Sequence, residues 1–480
     1  MKNLIIFLLC LLPLAVQGKE KQQAASCNGY PYSQVPFTAV KVAPQSFWGE
    51  RIRTAREVTI PLAFEKCETS GRYANFTMAA HPNKNYEIAK FMVNSFDDTD
   101  VYKTIEGASY VLQTYPDKRM EAYIDSVITL LEAAQESDGY LYTARTINPE
   151  HPHRWAGSRR WSKEEESSHE LYNLGHLIDA ACAHYQATGS RRLLDIACRY
   201  ADCVLREVGP AEGQAHVVPG HQIVEMALAR LYLLTGQEKY LDEARYFLGN
   251  RGMTKMKREY SQCHLPVTKQ REAVGHAVRA GYMYAGMADV AALTGDTTYI
   301  HAIDAITENI ISCKYYLTGG VGALHRGEAF GAKYELPNLT AYNETCAAIS
   351  MVYLMHRMFL LHGDARYIDC LERTLYNGVI SGMSVDGGRF FYPNPLQCDG
   401  RYHFNRDNTI TRQPWFSCAC CPSNLCRFIP SLPGYIYAGL YLCRAGAQCL
   451  CEPLCLEQCH HQRGGQECHF RTTDQLPLGR

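Results

Sequence analysis

Three cysteines fall within four positions in Cys418-Ala419-Cys420-Cys421-Pro422, a density that core packing does not explain. Adjacent cysteines make poor disulfide partners, because the peptide between them holds their sulfurs in unfavourable geometry. Two neighbouring thiolates sharing one soft metal ion is simpler chemistry. Upstream, Glu344-Thr345-Cys346 offers a carboxylate and a further thiolate. Glu344, Cys346, Cys420 and Cys421 would make a four-ligand set suited to tetrahedral Zn2+. Such a closed set is either structural, or catalytic through one of its own thiolates, which the ion keeps deprotonated. A disulfide-only reading predicts no metal at all.

Two other groups bear on that choice. Glu328, in Gly327-Glu328-Ala329-Phe330, lies in the same long insertion as Glu344. Alone it reads as an exposed loop carboxylate. Beside a metal thiolate it has the makings of the acid/base partner that glycoside cleavage with retention requires. Three histidines follow glycine, in Gly175-His176, Gly220-His221 and Gly275-His276, each near the start of an expected helix. One such histidine is usually structural; three in like contexts suggest a rim of imidazoles facing sugar hydroxyls, or alternatively a metal.

The elements that must hold these groups are mostly helical. Apolar residues recur at three- and four-residue spacing over 101–115, 120–136, 170–188, 193–208, 222–235, 240–248, 277–294, 299–313, 345–361 and 367–380. Thr188-Gly189, Thr235-Gly236, Thr294-Gly295 and His362-Gly363 each precede a new helix after a few residues, which marks a series of helix hairpins. Their unequal spacing, with long insertions at 250–275 and 319–342, favours a closed α/α toroid with its site at one end over an open array. Residues 19–99 read as an N-terminal segment, partly β, with Val58-Thr59-Ile60 as a short strand. Residues 100–438 form the toroid. Asp386-Gly387-Gly388 turns a hairpin within 383–392, and the cysteine cluster follows in a loop stopped by Pro422.

With 480 residues, the chain can bury one large core plus accessory pieces. Net charge is −1 with no basic stripe, so neither nucleic acid nor an anionic membrane surface is indicated as a partner. Residues 1–18 read as a signal peptide: Lys2, an apolar run at 4–16 too short to span a bilayer, and Gly18 at the exit. That implies export, periplasmic or secreted, where disulfides are the bland use for 21 cysteines. Yet Cys182, Cys198, Cys203, Cys313 and Cys370 fall singly within helices, where cysteine is a small buried apolar residue. Residues 439–480 break the composition with a crowd of cysteines and no strand alternation. They read as an out-of-frame end replacing a lost continuation, or as a disulfide-pinned appendage.

Taken together, the motifs resemble those of the zinc- and cysteine-dependent β-L-arabinofuranosidases, glycoside hydrolase family 127/146-like. The likeness runs from about Phe37 to Ala438. It includes Asp100-Val101-Tyr102-Lys103, Asp138-Gly139-Tyr140-Leu141, Glu170-Leu171-Tyr172, Pro219-Gly220-His221, Arg271-Glu272-Ala273-Val274-Gly275-His276 and the Glu-x-Cys and Cys-x-Cys-Cys-Pro pair in that order. The resemblance implies a mainly α protein, an (α/α)6 toroid with minor β elements, whose family C-terminal β-sandwich is missing here. It implies a retaining, exo-acting hydrolase releasing L-arabinofuranose from β-linked plant glycans. By motif, Cys420 is the nucleophile, Glu328 the acid/base, and His176, His221 and His276 hold the sugar. Glu344, Cys346, Cys420 and Cys421 bind Zn2+, and Cys418 is no ligand. The same chemistry on a related pectin-derived sugar, or an inactive zinc-stabilised carbohydrate-binding remnant, are the competing expectations.

Overall fold

The computed structural model describes residues 29–440 and, beyond them, the backbone of Gln448–Cys451, His460–Arg463 and Gln466–His469. Among the described residues, six buried helices form the inner wall: α1 Asp98–Thr114, α2 Glu170–Thr188, α3 Val224–Thr235, α4 Ala277–Thr294, α5 Thr345–His362 and α6 Cys420–Ser431. Each packs on the next, and α6 returns to α1, so the ring closes. Burial all round a helix requires apolar and small residues on every face, as in Ala280-Gly281-Tyr282-Met283-Tyr284-Ala285-Gly286-Met287-Ala288 of α4. The outer helices bury one stripe only. Arg192–Glu207 turns Leu193, Ile196, Ala197, Tyr200 and Val204 inward and leaves its charged residues outside.

The repeated glycines explain the wiring. Gly189, Gly236, Gly295 and Gly363 cap the C-termini of α2 to α5 at φ between 66° and 77°, a left-handed conformation that costs glycine nothing. Each starts a tight turn to an outer helix. The return from outer helix to the next inner one carries the long insertions. They therefore gather at the end of the ring where the inner helices begin.

Three expectations are corrected. The N-terminal segment holds strands at Tyr32–Gln34 and Val40–Lys41 and helices at Phe47–Thr54, Ile60–Thr69 and Arg72–Ala79, and within it Val58-Thr59-Ile60 is no strand. Ile52, Ala55, Ile60, Ala63, Phe64 and Cys67 are buried at helical spacing, interrupted by one wide turn at Ala55–Thr59. Cys420 and Cys421 open α6 rather than lying in a loop. Pro422 falls in the first turn, where a missing N–H is no loss. Beyond Ala438, strands β3 Tyr437–Leu440, β4 Gln448–Cys451, β5 His460–Arg463 and β6 Gln466–His469 pair with β1 Tyr32–Gln34 and β2 Val40–Lys41 in the orders β1-β3-β4 and β2-β5-β6. Backbone pairing needs free N–H and C=O edges, not side-chain alternation, so the composition of that stretch concealed it. The rest of 439–480, and the leader expected at 1–18, lie outside the described residues.

Candidate active site

The cysteine cluster and its partners sit where two neighbouring inner helices start. Glu344 is the N-cap of α5, and Cys346 lies in its first turn. Cys420 and Cys421 are the first two residues of α6. Ligand atoms of Glu344, Cys346, Cys420 and Cys421 all lie within 4.8 Å of one another. Glu344 Oε1 is 3.5 Å from Cys421 Sγ and 3.8 Å from Cys420 Sγ. The Cys346 and Cys421 sulfurs are 3.3 Å apart, too far for a disulfide bond of about 2.05 Å. Among the described cysteines none is disulfide-bonded. Cys182, Cys203, Cys313 and Cys370 are buried as expected, and Cys198 is half-buried.

These four residues fit a soft divalent ion. Glu344 Oε2 is buried and has no hydrogen-bond partner, a costly condition that a cation would relieve. Burial, then Glu328 and Cys420, push the Glu344 carboxyl well above its usual range. Burial also opposes ionisation of Cys346, but hydrogen bonds from Cys420 and Cys421 outweigh it and bring that thiol down to about 6. Three sulfurs and one carboxylate suit zinc. Asp138, Cys203 and Glu207 also cluster, but Arg160 fills that site, 2.6 Å from Asp138 and 2.5 Å from Glu207.

Glu328 joins this centre from the 319–342 insertion. Its backbone is left-handed, φ 52°, which is uncommon without glycine and is held by surrounding bonds. Glu328 N–H donates to the His325 carbonyl, and the Ala277 and Phe330 N–H groups bond the Glu328 and Gly275 carbonyls. The turn is thereby stitched to the start of α4. His276 Nε2 lies 2.8 Å from Glu328 Oε2, and Tyr342 donates its hydroxyl to Oε1 at 2.8 Å. His276 Nδ1 accepts from Arg279 N–H, so the proton on Nε2 faces Glu328. Burial works to raise the Glu328 carboxyl; the His276 and Tyr342 bonds and the Arg406 charge overcome it and hold it at about 2.

A cavity of about 460 Å³ opens over these groups, lined by Cys420, Cys418, Glu328, Glu344, Cys346 and Arg406. His169, His221, His276, Tyr172 and Tyr282 complete the lining. His221 Nδ1 bonds the Gln222 carbonyl at 2.9 Å and His169 Nδ1 the Ser167 carbonyl at 2.7 Å. In both rings Nδ1 carries the proton. Burial, reinforced by Arg279, drives both imidazoles down, His169 to about 3. Neutral rings with a bare Nε2 are acceptors for hydroxyl protons.

His176 is placed differently from His221 and His276. It is wholly buried beneath Tyr172, ring centroids 4.6 Å apart, and is not among the residues lining the cavity. The geometry gives it a supporting position behind Tyr172. Cys418 lines the cavity but stands outside the four-ligand group. Sequence reasoning did not single out His169, Tyr342, Tyr392 or Arg406. Tyr392 places its hydroxyl 2.7 Å from Cys420 Sγ, and burial, then Cys418 and Cys420, raise it well above a phenol's usual range. A protonated phenol at that distance can donate to the sulfur when Cys420 is a thiolate. The Arg406 guanidinium lies over the Tyr392 ring at 4.3 Å. These residues occur singly, with no local spacing to flag them. Left-handed backbone marks His169 itself, Asn343 beside Tyr342, and Asp407-Asn408 beside Arg406.

The chain matches the family model of the β-L-arabinofuranosidase GH127 catalytic domain over residues 39–434. It is 39% identical over 366 residues to a non-reducing end β-L-arabinofuranosidase of Bifidobacterium longum subsp. longum, a match covering 71% of this chain and 55% of that protein. A solved GH127 β-arabinofuranosidase superposes with a TM-score of 0.82 at 65% identity, over 86% of this chain and 63% of the other. A GH127 β-L-arabinofuranosidase from Geobacillus stearothermophilus T6 gives 0.79 at 39% identity, over 89% and 69% respectively. The chain thus spans just over half the length of the curated relative.

Proposed function

The chain belongs to the GH127 family of β-L-arabinofuranosidases, and on that premise we propose that it is a retaining glycoside hydrolase releasing β-linked L-arabinofuranose from the non-reducing ends of plant glycans. The observation that carries the reading is the opening of Cys420, with Glu344, Cys346 and Cys421 beside it, and of Glu328 onto one cavity rimmed by neutral imidazoles.

In this reading Cys420 Sγ attacks the anomeric carbon. A carbon–sulfur bond forms as the carbon–oxygen bond breaks, and Glu328 gives a proton to the departing oxygen. Glu328 then takes a proton from water, whose oxygen displaces the sulfur and frees the sugar. Glu344, Cys346, Cys420 and Cys421 would hold zinc, whose positive charge would keep the sulfurs as thiolates at neutral pH. Tyr392 donates to the Cys420 sulfur and keeps it aimed at the cavity. His276 and Tyr342 hold Glu328 ionised. A sugar hydroxyl that engages either donor leaves burial to dominate, which lifts the carboxyl toward the range where it can carry a proton. His169 and His221 accept hydroxyl protons of the same ring and fix its orientation.

Hydrolysis of an aryl β-L-arabinofuranoside, compared with other aryl glycosides, tests the activity and the sugar. Cys420→Ser should lower turnover by at least about 1,000-fold, the scale on which a nucleophile acts. Substantial residual turnover would sink the assignment. L-Arabinose binding with no hydrolysis by the unaltered protein would favour the binding-remnant reading instead.

A further inference from the structure

We propose that a second cavity, across the turn that carries Glu328, receives an uncharged sugar ring on the leaving-group side of the bond to be cleaved; this rests on reading Glu328 as the proton donor. The cavity measures about 610 Å³, and its lining includes His325, Tyr334, Leu336, Pro337, Thr340 and Tyr402. His325 also lines the active-site cavity, so one imidazole is the wall between the two spaces. Glu328 closes the same turn, its N–H donating to the His325 carbonyl at 3.1 Å. The His325 ring packs edge-on to Tyr342, whose hydroxyl bonds Glu328, at a centroid distance of 4.7 Å, and to Tyr402 at 6.0 Å.

The bridging oxygen of a bound glycoside has to lie at Glu328 to take its proton. On one side of that oxygen is the ring facing Cys420. On the other is the next residue of the glycan, and the space beyond Glu328 past His325 is this second cavity. Its lining has the matching chemistry. Aromatic and proline faces suit the C–H face of a sugar, and the Thr340 hydroxyl and Glu335 carboxylate suit its hydroxyl edge. The lining contains a carboxylate and neither lysine nor arginine, which selects an uncharged ring over a uronic acid.

Tyr334 is the telling residue. It is 73% exposed, its φ is 62°, and its N–H is tied to the Cys313 carbonyl at 2.8 Å. An aromatic held outward in a left-handed conformation is uncommon, and its exposed ring offers a face on which a sugar can stack.

The test compares methyl β-L-arabinofuranoside with a disaccharide in which β-L-arabinofuranose is linked to a second arabinose. The unaltered protein should prefer the disaccharide in kcat/KM. Tyr334→Ala should cut that preference roughly tenfold, through KM, while Tyr334→Phe keeps it. Tyr334 is exposed, so its truncation does not threaten folding. With Cys420→Ser protein, titration calorimetry of the disaccharide against L-arabinose gives the same comparison without turnover. If neither glycoside is cleaved but the disaccharide binds more tightly and Tyr334→Ala removes the difference, the hydrolase reading fails and the second site stands. An unchanged preference in Tyr334→Ala, or equal binding of disaccharide and arabinose, overturns the second site.

Discussion

The Cys420 sulfur has two kinds of neighbour: the ligand atoms of Glu344, Cys346 and Cys421, and the Tyr392 hydroxyl at 2.7 Å. The first kind was legible in the sequence, because a metal needs donors at close spacing and Glu-x-Cys and Cys-x-Cys-Cys place them within helical first turns. The second was not, because Tyr392 is one tyrosine among 32 and reaches the sulfur only through the fold. Its contribution is measurable. Tyr392→Phe removes a hydrogen bond to a thiolate, worth roughly 1.5–3 kcal/mol, and should lower kcat/KM by about 10- to 100-fold with zinc content unchanged. Steady-state kinetics paired with elemental analysis checks this. An unaltered rate would mean that the 2.7 Å contact carries nothing in the reaction. The same limit applied to His169, Tyr342 and Arg406, and in the other direction to His176, whose Gly-His context matched His221 and His276 while its helix turns it beneath Tyr172.

Helices decide which ends these residues share. The glycine caps predicted from Thr-Gly pairs all close inner helices, so the turns at that end are short and the site-bearing insertions gather at the other. Helix α6 escaped the periodic reading because cysteine and proline open it and Pro430 lies inside it. What holds it is ionic. Arg427 of α6, wholly buried, bonds Glu106 of α1 and Asp179 of α2 at 3.1 Å each, and Tyr282 of α4 at 3.1 Å. Arg427→Met leaves Glu106 and Asp179 with the longer contacts to Arg230, 3.8 and 3.4 Å, and Glu106 with the Tyr110 hydroxyl at 3.3 Å. It should destabilise the protein by about 3–5 kcal/mol, seen as a lower denaturant midpoint; an unmoved midpoint would contradict the bracing role. The outer layer offers a pH test. Glu243, on helix Glu238–Asn250, is raised by burial from 4.5 to about 8. Between those values the folded chain holds a proton that the unfolded chain has released. Stability from this group therefore falls as pH rises from 4.5 to 8, by up to about 1.4 kcal/mol per pH unit. Glu243→Gln should flatten that slope in thermal melts between pH 5 and pH 8.5, and an identical slope in the variant would rule the group out.

At the scale of the whole molecule, the candidate metal-binding cluster joins α5 to α6, and α6 is the helix that closes the ring against α1. An ion bound there stabilises the folded ring alone, by about 4 kcal/mol when its concentration is 1,000 times its dissociation constant. Chelation should therefore remove one zinc per chain and lower the melting temperature by roughly 5 °C. A protein that carries no zinc as purified, and melts identically with and without chelator, would refute the centre. By itself the sequence determined the candidate metal-binding cluster, the helical repeat and its caps, since each is written in spacings of one to four residues that local geometry reads directly. Only the tertiary structure decided that the ring closes, that the tail's described strands join sheets begun by β1 and β2, that His176 lies behind the cavity, and that Tyr392, Tyr342 and Arg406 meet the cysteines and Glu328. Those contacts join residues far apart along the chain. No local spacing encodes them, and they exist only once burial of the six inner helices has brought their first turns to one end.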